Sequence, residues 1–277
     1  MRRKWPVLAA AIPLFIGWAL IAAHPAAASP TGFGSGGWVP GGPVNHLGNP
    51  SLVERHNKMQ TIVTSSNWAG YAATGATGKF TSVSAAWVQP AATCTSGDQY
   101  SAFWVGLDGY SSSTVEQTGS AADCVGKTAQ YYAWWEMYPA GETEINHTVK
   151  AGDHFTASVT YASPNDYTLV ITDSTESPTW TYTTTQTLSG AKRSSAEVIA
   201  EAPCCTSRGG ILPLTNFGTV NFTSALVNTA ALATLTPVEI KMTDTTVTAI
   251  TGSPGEAFGV TYSAVAAPAR FFGRGAF

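Results

Sequence analysis

Phe155-Thr156-Ala157-Ser158-Val159-Thr160-Tyr161 alternates apolar and hydroxyl side chains with a period of two. That is the repeat of a half-buried β-strand, whose successive side chains point to opposite faces. Outward from it, segments 80–88, 100–107, 130–137, 167–172, 179–188 and 238–250 are similarly short and rich in β-branched or aromatic residues. Turn signals separate them: Thr77-Gly78, Asp108-Gly109, Pro139-Ala140-Gly141, Ser163-Pro164-Asn165-Asp166 and Ser253-Pro254-Gly255. Only 224–235 carries spacing that a helix could use. Many evenly spaced strands with no intervening helices and no internal repeat predict an all-β chain, an antiparallel sandwich or barrel.

The 277 residues carry 14 Lys+Arg and 17 Asp+Glu, 11% charged against about 25% in an ordinary globular chain. Three of the bases (Arg2, Arg3, Lys4) open the chain and precede an apolar run over 7–23 and the small residues Ala26-Ala27-Ala28. This is the layout of a secretory signal peptide spanning 1–28. The run is shorter than the ~20 residues a membrane span requires. Export is therefore expected, with no membrane association after cleavage. Without its bases the remaining chain is acidic and lacks the electrostatic footprint of a nucleic-acid binder. Residues 29–61 are rich in Gly and Pro, as in Gly34-Ser35-Gly36-Gly37 and Pro40-Gly41-Gly42-Pro43, and read as an arm or short propeptide. The strand-rich domain is expected over 62–277. Outside the cytosol the four cysteines can pair in three ways. Cys94–Cys124 is favoured, closing a loop of about 30 residues. Cys204 and Cys205 are left as a vicinal disulfide or as free thiols.

Much familiar chemistry is missing. Beyond the signal the histidines are His46, His56, His147 and His154, without the spacing of a zinc site. There is no Gly-x-Ser-x-Gly elbow, no phosphate-cradling Gly-x-x-x-x-Gly-Lys and no Asp-Thr-Gly or Asp-Ser-Gly. Ser189-x-x-Lys192 lies in a turn rather than at a helix start, so no serine acyltransferase is indicated. No metal or cofactor is expected.

Carboxylates beside apolar strand segments remain: Asp108, Glu116, Glu136, Glu197 and, just beyond, Glu201. Strand parity puts Trp134, Glu136 and Tyr138 on one face and Trp135 and Met137 on the other. Among aromatics Glu136 is poor in water, which raises a carboxyl pKa. Glu197 lies beside Val198-Ile199 in a similar setting. A carboxyl so placed can accept or donate a proton.

Five motifs in order then resemble the glutamic peptidases, the eqolisin family. They are Ser66-Asn67-Trp68-Ala69-Gly70-Tyr71, Trp104-Val105-Gly106-Leu107-Asp108-Gly109, Gln117-Thr118-Gly119, Ala133-Trp134-Trp135-Glu136-Met137-Tyr138-Pro139 and Ala196-Glu197-Val198-Ile199. The resemblance implies a concanavalin-like sandwich of two curved antiparallel sheets, with a cleft on the concave face. It also implies a secreted, acid-pH endopeptidase acting on polypeptides, and a monomer is expected. Gln117 and Glu197 match the family's catalytic pair; Trp68 and Trp104 match tryptophans lining the cleft. Asp108, Trp134, Glu136 and Tyr138 match the surrounding shell and are expected to contact substrate. Two positions depart from the family's pattern. Tyr132 stands where fungal members often carry Asp, and Ala121 stands where an Asp follows the glutamine, with Asp123 two residues later. The pair suits metal-free peptide hydrolysis: a Glu197 carboxylate can activate water and Gln117 can donate to the oxyanion. Two other readings use the same residues. One is a glycoside hydrolase with Glu136 and Glu197 as its carboxyl pair; the other is a non-catalytic carbohydrate-binding module.

Overall fold

The computed structural model describes residues 51–55, 58–204 and 210–264. The signal segment, the arm up to residue 50 and Cys205 lie outside the described residues. Two sheets make up the fold. Sheet one has nine strands in the order β1 (Ser51–Arg55), β2 (Lys58–Thr64), β15 (Val238–Lys241), β3 (Trp68–Thr74), β12 (Ser195–Glu201), β5 (Ala102–Leu107), β6 (Val115–Val125), β7 (Thr128–Tyr138) and β8 (Thr143–Ile145). Sheet two runs β11 (Trp180–Thr187), β10 (Asp166–Asp173), β9 (His154–Ala162), β4 (Ser82–Val88), β13 (Thr219–Val227), β17 (Phe258–Tyr262) and β16 (Thr245–Val247), with β14 (Ala230–Ala231) paired to β13. Every strand pairing is antiparallel except β2 with β15. The expected sandwich is present.

The core lies between the sheets. Tyr71, Phe103, Val105, Leu107 and Val198 of sheet one pack toward Trp87, Phe155, Val159, Leu169, Phe222 and Val260 of sheet two. Sheet two keeps a solvent face, and its strands alternate: every second residue of β10 is buried and the others are half-buried. Sheet one is buried on both faces in its centre, where all of β5 and β12 are shielded. Its second face carries a separate cluster of Trp68, Trp104, Trp134, Ala72, Val115 and Ile199. Parity over 134–138 is as read from the sequence: Trp134 packs on that second face, while Trp135 and Met137 pack on the inter-sheet core.

Three expectations change in detail. The sheet begins earlier than residue 62, because β1 and β2 form a hairpin inside the stretch read as an arm. Segment 238–250 is two strands: β15 joins sheet one and β16 joins sheet two, with Thr245 Oγ1 closing the turn between them onto Met242. The helical spacing of 224–235 yields a single 3-10 turn, Leu232–Leu235; the preceding residues are claimed by pairing with β4. Cys94 and Cys124 are bonded, Cα to Cα 5.4 Å, as favoured. A loop of that length lends roughly 3–4 kcal/mol in the chain-entropy picture. Cys204 is disulfide-bonded as well.

Candidate active site

β6 and β7 are joined by the two-residue turn Gly126-Lys127, with Val125 paired to Thr128. Gly126 sits at φ +62°, where a Cβ is unfavourable and glycine is not. This short turn sets the register that puts Gln117 opposite Glu136. The neighbouring ladders align Gln117 with Gly106, and Gly106 with Glu197. One row therefore crosses four strands: Glu197, Gly106, Gln117, Glu136. Residues in one row share a face, here the face carrying Trp104 and Trp134.

Gly106 is the key to the spacing. A Cβ there would stand 2.9 Å from Trp104 Cζ3, 3.1 Å from Gln117 Cβ and 3.2 Å from the Glu116 carbonyl. With no side chain at that point, Glu197 and Gln117 face one another across about 10 Å of backbone, two strand spacings. The Gln117 Nε2 donates to Glu136 Oε2 at 2.5 Å. No hydrogen bond of regular geometry reaches either oxygen of Glu197 among the described residues.

All three side chains are fully buried. Burial first, then the negative charge of Asp108 and Glu116, pushes the Glu197 carboxyl well above its ordinary range; the Ser195 hydroxyl and the Tyr110 backbone N–H stand near enough to offset part of this. Burial likewise lifts Glu136 to about 10, opposed by its bond from Gln117 and aided by the charges of Glu201 and Glu142. Glu136 is thus a neutral acid, whose carbonyl oxygen can accept from the amide.

The aromatic walls are tied in place. The Trp104 indole N–H donates to Glu201 Oε2 at 2.8 Å, and Asn67 Nδ2 holds Glu201 Oε1 at 3.0 Å. Trp68 meets Trp104 edge-to-face, centroids 5.0 Å apart. The indole N–H groups of Trp68 and Trp134 have no acceptor among the described residues. Tyr138 packs against this cluster, half-buried.

Asp108 is tied into the backbone. At φ +69° its carboxylate turns to the strand entering β12, accepting from Arg193 N at 2.5 Å, Ser194 N at 2.9 Å and Ser194 Oγ at 3.2 Å. It clamps the end of β5 to the start of β12 and so holds Glu197 beside Gly106. Gly106 and Asn67 carry weight that sequence reasoning did not assign them, and Glu201, read only as a carboxylate just beyond its segment, anchors Trp104. All three lie in or beside the quoted motifs, so the signal was adjacency to those motifs. Glu116, next to the glutamine, faces the opposite side, with both oxygens buried and without a hydrogen bond of regular geometry among the described residues.

The two departures from the family pattern meet in space. Tyr132 Oη donates to Asp123 Oδ2 at 3.3 Å, while Ser101 N–H holds Asp123 Oδ1 at 3.1 Å. Burial raises Asp123 to about 7, less than it would without these two donors.

The family model for the Peptidase A4 family matches residues 66–262. The chain belongs to that family, the eqolisins. Solved structures support the same fold. Scytalido-glutamic peptidase with a transition-state analog inhibitor is 22% identical, covers 71% of this chain and 98% of its own, and superposes with a TM-score of 0.61. SCP-B, an eqolisin family member in complex with the tripeptide Ala-Ile-His, is 22% identical over 71% of this chain and 98% of its own, TM-score 0.57. Aspergilloglutamic peptidase from Aspergillus niger is 22% identical over 59% of this chain and 99% of its own, TM-score 0.51. A search of curated proteins returns no match. As an eqolisin the chain is a peptidase, and the glycan-directed readings lose their support. The row agrees: β5 and β6 separate Glu197 from Glu136, and Glu136 is engaged by Gln117 rather than facing a partner carboxylate.

Proposed function

We propose that the chain is an exported endopeptidase that hydrolyses polypeptides at acid pH through Glu197 and Gln117. The observation that carries this reading is the row itself: the two side chains flank a position with no side chain, in register and on the face walled by tryptophans. In this reading a water and the scissile carbonyl are held between Glu197 and Gln117. Glu197, ionised, takes a proton from the water as it attacks and then gives it to the leaving amine. Its buried setting raises its proton affinity and so its strength as a base. An amide NH₂ has two donors. In Gln117 one is spent on Glu136, which orients the amide, and the other meets the oxyanion. Glu136 stays neutral in acid medium, so the ionised fraction of Glu197 bears the only negative charge of the row and is the reactive form. The indole N–H groups of Trp68 and Trp134 supply donors for the substrate main chain, and Tyr138 borders it.

The test is cleavage of an unfolded protein by the mature chain between about pH 2 and 7. Glu197→Gln is expected to abolish turnover, and Gln117→Ala to lower kcat by about 10²–10³, both with an unchanged circular dichroism spectrum. Turnover that survives both substitutions would place the chemistry elsewhere.

A further inference from the structure

Outside this row, three carboxylates converge at one end of sheet two. Asp153 precedes β9, Asp173 is the last residue of β10, and Glu176 lies in the loop between β10 and β11. Each offers one oxygen to a common point, and these oxygens lie within 4.8 Å of one another. Asp153 and Asp173 are 1% and 0% exposed. The backbone occupies one oxygen of each: Lys150 N–H donates to Asp153 Oδ2 at 2.7 Å, and Thr175 N–H to Asp173 Oδ1 at 2.8 Å. The remaining oxygens, Asp153 Oδ1 and Asp173 Oδ2, are shielded from solvent and accept no hydrogen bond among the described residues. A buried carboxylate oxygen without a donor is costly unless a cation meets it. Lys150 is the cation at hand, but its Nζ pairs with Glu176, the outermost of the three, and its side chain is 58% exposed. Three carboxylates against one ammonium leave two negative charges.

We propose that Asp153, Asp173 and Glu176 bind one divalent cation, Ca²⁺, that staples the loop before β9 to the β10–β11 loop. The charge left over matches the ion. The donors are all hard oxygens, and two Ca–O bonds of about 2.3–2.6 Å span the observed spacing, with water filling the other positions. The loops are already drawn together, since His154 N–H donates to Thr175 Oγ1 at 2.7 Å and Ser174 N–H to the His154 carbonyl at 3.0 Å. The staple also reaches sheet one. The Gln89 backbone N–H donates to the Asp153 carbonyl at 2.8 Å, and the Gln89 side chain to the Ala121 carbonyl of β6 at 3.0 Å. The ion is structural and takes no part in peptide cleavage, so its test is independent of the proposed catalytic pair.

The experiment is calorimetric titration of CaCl₂ into the chelator-stripped chain near neutral pH, with thermal unfolding followed in parallel. One Ca²⁺ per chain is expected, together with a midpoint raised by several degrees at millimolar Ca²⁺ and a weaker response to Mg²⁺. Asp173→Asn should weaken binding at least tenfold. Glu176→Gln, at the half-exposed member, makes the same test should the first variant misfold. Lys150→Gln should bind Ca²⁺ more tightly, because a competing ammonium is gone. Absence of both heat and thermal shift in the unaltered chain would overturn the proposal. So would binding that both carboxylate variants retain. Loss of stability in Lys150→Gln with no response to Ca²⁺ would identify Lys150 as the cluster's own counter-ion and equally overturn it.

Discussion

At Gly106 a methyl group would stand 2.9 Å from Trp104 Cζ3 and 3.1 Å from Gln117 Cβ, closer than well-packed carbons approach. The neighbours would have to yield, and the nearer of them on the row is the glutamine that Glu136 orients. Gly106→Ala is therefore expected to cut kcat/KM at least 10²-fold, because a misplacement on the scale of 1 Å already costs that much. The chain should still fold, since the one approach under 3.0 Å is to the Trp104 ring and the β6 backbone, at 3.2 Å from the methyl, need yield only by tenths of an ångström. Parallel measurement of kcat/KM and the urea midpoint checks this; full activity in a folded Gly106→Ala chain would mean that the packing around Gly106 does not position the reacting pair. At the same scale, Tyr132 and Asp123 show how a pair of substitutions can be coupled. Read singly along the chain each looks like a lost carboxylate, whereas in the structure a phenol hydroxyl meets a displaced carboxyl.

Between strands, the placement of Glu197 depends on how β12 is entered. The Asp108 carboxylate takes up two backbone N–H groups and one hydroxyl of residues 193 and 194, and Asp108 N–H in turn donates to the Ser195 carbonyl at 3.0 Å. Asp108→Ala would leave those donors without an acceptor, at about 1–3 kcal/mol for each buried group so abandoned. We expect a stability loss of a few kcal/mol together with a kcat at least tenfold lower and a KM little changed. A fall in stability alone, with kcat intact, would show that β12 keeps its register without the clamp. The β6–β7 turn works in the same way: its two residues settle which side chain of β7 stands opposite Gln117, and a slip of one would turn Glu136 to the core and Trp135 to the face that carries Trp104 and Trp134.

Over the whole molecule the buried carboxyls set the pH range of the fold. Glu116 is raised to about 8 by burial and by the charge of Asp108, Asp123 to about 7 and Glu136 to about 10 mainly by burial, while Glu197 and Glu142 are raised as well. Each binds its proton more tightly folded than unfolded. Their contribution is thus fully present below the unfolded value near 4.5 and is lost as pH rises through the folded values. Stability should fall by on the order of a few kcal/mol between about pH 5 and 8, the reverse of acid denaturation. Glu116→Gln removes one of these protons' sites without changing shape. It should flatten the fall, leaving the variant closer to or above the parent at pH 8 than at pH 4, as urea midpoints would record. A midpoint constant from pH 4 to 8 in the parent chain would contradict the buried-acid account. These scales also divide what could be read early from what could not. Period-two alternation, turn residues and the absence of helical spacing are local properties, so the all-β class, the strand faces around Glu136 and the apolar setting of Glu197 were legible along the chain, while Gln117 entered through the resemblance of its motif to the glutamic peptidases. The division of segment 238–250 between two sheets, the row through Gly106, the inward-turned Asp108 and the meeting of Asp153, Asp173 and Glu176 were not legible there. Each of these depends on strand order and register, which are decided by burying apolar faces of strands far apart in sequence, and a linear pattern carries no measure of that distance.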